Sequence, residues 1–153
     1  MSIRLSSNPR NIPTSAAWLG ALGLLPFIVG AVLTLYPPTS APLDWAFATR
    51  AYAALILAFL GGVRFGFAVV DENLRRQSGA LFVGVLPTIS AWIALLLAPA
   101  AGITLLLVSF FLQGLLDLFG LRNGIRPWYG RLRLRLTIVV LIALGVLLRG
   151  VSA

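Results

Sequence analysis

The chain has 153 residues, 59% hydrophobic and 10% charged, against about 45–50% and about 25% in soluble domains. That balance excludes a water-soluble globule, and it excludes intrinsic disorder, which needs low hydrophobicity and high charge. The net charge of +8 comes from 12 basic residues, all arginine, and 4 acidic ones; with no soluble basic face it points to membrane topology and headgroup contacts, not to nucleic acid.

Residues 1–15 read as an inner-side tail, with Arg4 and Arg10 ahead of the first apolar run. That run is longer than the ~7–15 residues of a signal-peptide core, and Pro9 and Pro13 interrupt any amphipathic transit helix. A single all-α transmembrane domain is expected over 16–153. Its five spans each approach or exceed the ~20 residues that cross a bilayer. The first, 16–36, is uncharged and carries Pro26. The second, 45–70, contains Arg50 and Arg64. The third, 78–97, has Pro87 at its centre. The fourth, 103–119, follows a turn at 99–102 and holds Ser109, Gln113 and Asp117. The fifth, 133–149, runs between arginines.

Arginine placement orients these spans. Arg4, Arg10, Arg75, Arg76, Arg122, Arg126, Arg131, Arg133 and Arg135 fall on one side, while only Arg50 and Arg149 lie near the other. Nine against two requires an odd number of spans, and five spans with the N-terminus inside and the C-terminus outside fit it. Trp18, Trp128 and Tyr129 then mark the inner interface, Tyr36 and Trp45 the outer one. Trp92 fits neither belt.

Chemistry has few candidates. Cysteine and histidine are missing and Met1 is the sole methionine, so zinc, haem and thiol chemistry lack side-chain ligands. No catalytic residue, cofactor or metal is expected. Arg50 and Arg64 are separated by 14 residues, about 21 Å of helix, so both can snorkel to opposite faces. Asp117 is the carboxylate inside a span and ends a stripe of Ser109, Gln113 and Asp117. At a helix C-terminus it opposes the macrodipole and needs a cation. Helices two and four run in one direction, so Arg64 is a candidate partner at equal depth, with Arg133 and Arg135 as others. Intramembrane charges of this kind are either clamps or transport groups.

Ala54, Ala58, Gly62 and Gly66 recur every fourth residue and form a close-packing stripe, for neighbouring helices of the same chain or for another subunit. Pro26 and Pro87 bend their helices. The stretch 120–135 brings Arg122, Arg126, Trp128, Tyr129, Arg131 and Arg133 to the inner surface, where each basic residue contributes about 1 kcal/mol toward anionic lipid.

Several stretches together resemble a family of small multispanning proteins typified by transmembrane protein 69, found in bacteria and mitochondria. They are GLLPF at 23–27, FLGGVRFGFA at 59–68, GVLPTISAWIALLL at 84–97, Asp117, and RPWYGRLRLRLT at 126–137. The family pattern carries His-Trp where this chain has Arg64-Phe65. The resemblance implies a multispanning membrane fold in a bacterial inner or mitochondrial membrane and supplies no catalytic residues.

These features together give the expectation of a non-catalytic accessory or assembly subunit of a larger membrane complex. Its partners are membrane lipids with anionic headgroups and protein subunits, and its expected location is the bacterial inner membrane ahead of the mitochondrial one. The rival expectation is a small transporter or lipid/quinone-binding protein using Arg64, Gln113 and Asp117; a membrane-bound enzyme comes third.

Overall fold

The computed structural model describes residues 12–38, 40, 43–70, 74–121 and 127–152; the side chains of 74–76, 119–121 and 127 lie outside that description. A backbone in hydrocarbon must satisfy its own hydrogen bonds, which long apolar helices do. Five of them form: α1 (Thr14–Leu35), α2 (Trp45–Val69), α3 (Leu74–Leu96), α4 (Pro99–Leu121) and α5 (Pro127–Ser152). Each is long and apolar enough to cross a membrane, and their 22 to 26 residues give about 33–39 Å of helix.

Three helices start four or more residues earlier in the chain than expected. α3 takes in Arg75 and Arg76, while α4 and α5 open on Pro99 and Pro127. Proline suits the first helical position because its missing N–H has no intrahelical partner there. The expected turn at 99–102 is therefore the first turn of α4, and Arg131, Arg133 and Arg135 stand on α5 instead of in a loop. The tail at 1–11, including Arg4 and Arg10, lies outside the described residues, as do Arg122 and Arg126.

Each helix packs beside its neighbours in the chain, and α5 closes the circle by packing on α1; α2 also touches α4. A Cβ on Gly20 would meet Leu136, and one on Gly150 would meet Thr34 and Leu35, so α1 and α5 run parallel. The first residue of α1 and the last of α5 thus stand at opposite ends of the bundle. The arginine-rich end gathers the starts of α1, α3 and α5 and the ends of α2 and α4.

Phe27, Leu57, Ile103, Leu106, Leu144 and Leu147 fill the centre, with Ala53, Ala54, Ala91 and Ala94 at helix contacts. Large apolar side chains such as Leu22, Phe59, Phe82, Leu112 and Ile142 face outward, as lipid-facing residues do. Apolar burial does not drive association inside a membrane, so close packing and polar ties must.

α2 and α3 pack closely through a pair of glycines. A Cβ on Gly61 would come within 2.6 Å of the Gly84 carbonyl oxygen, and a Cβ on Gly84 within 3.0 Å of the Phe65 backbone. The glycines meet beside Pro87, which leaves the Val83 carbonyl without its helical donor. Near the other proline, Tyr52 donates to the Gly23 carbonyl at 3.1 Å, next to the carbonyl that Pro26 leaves without its helical donor. The Tyr52 ring meets Phe27 edge-on at 5.2 Å.

The expected stripe is therefore out of phase by one residue. Ala54 is buried and Ala58 half-buried, but Gly62 and Gly66 are exposed, with no atom within 4 Å of a Cβ placed on either. Gly61→Leu forces α2 from α3 and is expected to lower stability by about 1–3 kcal/mol, whereas Gly62→Leu leaves the detergent melting temperature unchanged. Thermal unfolding of the two variants side by side checks this.

Candidate functional site

Asp117 lies four residues before the end of α4, about 6 Å along the axis, where its charge faces the negative end of the helix dipole. Two arginines offset that. Arg64 Nη2 on α2 donates to Asp117 Oδ1 at 2.9 Å, and Arg133 Nε on α5 donates to Oδ2 at 3.1 Å. The equal depth of Arg64 and Asp117 follows from α2 and α4 running the same way, and Arg133 enters from the opposite direction two turns into α5. The Asp117 side chain is 14% exposed. In so dry a setting charge-assisted bonds are strong, and an unpaired partner is costly.

The cluster joins three helices, linking α2 to α5 through α4. Arg135, the other candidate partner, is exposed on the outer face of α5 and outside the cluster, as is Arg131. Tyr129 stands one turn before Arg133 on the same face of α5 and packs edge-on against Phe67 and Trp128. Two guanidinium groups around one carboxylate leave the cluster with a net single positive charge.

Gln113 projects one turn deeper than Asp117 and is 3% exposed, and among the described residues its Oε1 has no hydrogen-bond partner; the buried Arg64 Nε is likewise unpartnered there. Ser109, a further turn along, is half-buried. The site thus offers an ion-paired cluster at the arginine-rich end with an unpaired acceptor and an unpaired donor beside it among the described residues.

Two features escaped the sequence reading. Arg50 is 7% exposed. It does not snorkel: its Nη1 donates to the Leu97 carbonyl at 3.2 Å, and its guanidinium lies 5.7 Å from the centre of the Phe47 ring. The glycine contacts beside each proline were also missed, although Gly-x-Leu-Pro occurs both at 23–26 and at 84–87. That repeated tetrapeptide was the available signal.

Five apolar helices around an intramembrane charge cluster define a small multispanning membrane protein. The model of a family described as protein of unknown function (DUF3429) matches residues 12–149, and the chain belongs to that family. It is 34% identical over 140 residues to transmembrane protein 69 of Xenopus tropicalis, covering 88% of this chain and 54% of that protein. It is 29% identical over 139 residues to transmembrane protein 69 of Mus musculus, covering 89% and 56%. The chain spans about half the length of these curated relatives. No solved structure matches it.

Removing one charge strands the others, so Asp117→Asn is expected to destabilise the bundle by about 3 kcal/mol. Adding Arg64→Gln should restore part of that loss. A double-mutant cycle on stability for Asp117 with Arg64 and Arg133 measures the coupling, and couplings of zero for both pairs would remove the clamp from the account.

Proposed function

We propose that the protein is a non-catalytic accessory or assembly subunit of a larger membrane complex. The single observation that carries this reading is the outward turn of Gly62 and Gly66 on α2, with open space where their side chains would be. The fold does not use this pair for its own close packing, and small residues on an outer face let another helix approach. Phe59, on the same side of α2, is 66% exposed and offers an apolar ridge beside that groove.

The proposed setting is a bacterial cytoplasmic membrane, with the arginine-rich end inside and the end of α5 outside. Twelve arginines with no lysine are compatible with a GC-rich bacterial genome, and the nine-to-two split supports the orientation. Trp128, Tyr129, Arg131 and Arg135 near the start of α5 suit anionic headgroups. A second reading, a lipid- or quinone-binding protein or small transporter, is favoured by the unsatisfied Gln113 Oε1 beside Arg64 and Asp117.

Mild detergent extraction followed by mass spectrometry should recover a stoichiometric protein partner with the intact chain, and Gly62→Leu should lose it at unchanged melting temperature. Solitary behaviour in native membranes, with solute flux in liposomes abolished by Asp117→Asn, would favour the second reading. Reporter fusions within 71–73 and 122–126 should report inside and a fusion at Ala153 outside; a cytoplasmic Ala153 would overturn the orientation.

A further inference from the structure

We propose that a phosphate-type oxyanion binds at the corner between α3 and α4, held by Arg50 and the first turn of α4. Arginine has five N–H donors. Arg50, 93% removed from solvent by its 7% exposure, donates among the described residues from Nη1 to the Leu97 carbonyl, and its Nε is buried without a partner among them. Among the described residues no carboxylate pairs with it. Asp44, the acid at this end, instead accepts from the Phe47 amide at 2.9 Å as the cap of α2. The C-terminal end of α3 and the Phe47 ring offset part of the charge. The Arg50 Nε is an unserved donor on a buried charged group, a condition that is costly.

The start of α4 supplies an independent half of the site. The Ala98 carbonyl accepts from the Gly102 amide at 2.8 Å, so Ala98 is the N-cap. Its methyl group cannot accept from the amides of Ala100 and Ala101, which have no acceptor among the described residues. The contrast with α2, capped by Asp44 at the same end of the bundle, is direct. A Cβ on Gly102 would stand 3.2 Å from Arg50 Nη1, so the guanidinium reaches into this first turn, and glycine lets it approach.

A helix N-terminus with two free amides and a guanidinium beside it is a field built for an anion. Ala98, Pro99 and Ala101 are exposed, which leaves the corner open. Arg50 lies five residues into α2 from Trp45, about 7.5 Å of helix, the depth of the boundary between headgroups and acyl chains. A phosphate group there offers negative charge and several acceptor oxygens at once. It can come from a lipid headgroup or from free phosphate.

The test uses the whole chain in an uncharged detergent. The probes are phosphatidylglycerol, the diacylglycerol with the same chains, and inorganic phosphate; the readouts are native mass spectrometry and thermal melting. Ala98→Asp places a carboxylate at the vacant cap, and Arg50→Lys keeps the charge but loses the guanidinium fork. The wild-type chain should retain one more phosphatidylglycerol than Ala98→Asp, which should melt a few degrees higher without lipid. Arg50→Lys should hold that lipid more weakly, and diacylglycerol should not compete for it. Displacement of that lipid by inorganic phosphate, with a matching rise in melting temperature, identifies a site that takes the free anion; protection by phosphatidylglycerol alone identifies the headgroup. Equal lipid retention by wild type, Ala98→Asp and Arg50→Lys, or equal competition by diacylglycerol, would overturn the proposal.

Discussion

A carboxylate near the C-terminal end of a membrane helix is placed against the helix dipole, and Asp117 keeps that position through arginines reaching it from α2 and α5. The bilayer gives helices no hydrophobic reason to adhere, so ties of this kind fix which helices meet and at what height. The Asp117 cluster holds the arginine-rich end together across three helices. At the far end the equivalent tie is of another kind, a guanidinium on a backbone carbonyl, with Arg50 joining α2 to the close of α3. α2 takes part in both.

The two prolines explain why α2 holds that central place. Each proline follows by three residues a glycine whose carbonyl faces α2. Gly23 receives the Tyr52 hydroxyl, while Gly84 lies against Gly61. A proline that costs its own helix a hydrogen bond thereby stands beside a contact between helices. α1 and α3 grip α2 by the same local device, written in the same tetrapeptide pattern, Gly-x-Leu-Pro.

Much of this architecture was legible because membrane-spanning length is a coarse signal that survives errors of a few residues. Uncharged runs and arginine clusters located all five helices. The start of α4 was misplaced because 99–102 was read as a turn, although Pro99, like Pro127, occupies the first helical position, which suits proline. The small-residue stripe failed for a different reason. The spacing of small residues alone does not set the rotational phase of α2, and it could not tell Gly61 from Gly62 without the neighbour on α3. Arg64 and Asp117 were legible as a pair because alternating helix directions dictate their common depth. Arg50 was not, since a charge near a span end has the same pattern whether it reaches water or a buried carbonyl.

The parallel pairing of α1 and α5 has a consequence for larger assemblies. An odd number of crossings gives the five-helix unit no return to its starting side, so a second copy joined directly behind the first would be threaded from the opposite face. Two such units in one polypeptide would be related by an axis lying in the plane of the membrane, the symmetry of inverted repeats. Two separate copies inserted in one direction would instead be related by an axis along the membrane normal. The arginine imbalance favours that second arrangement, because an inverted copy would carry its basic end across the bilayer.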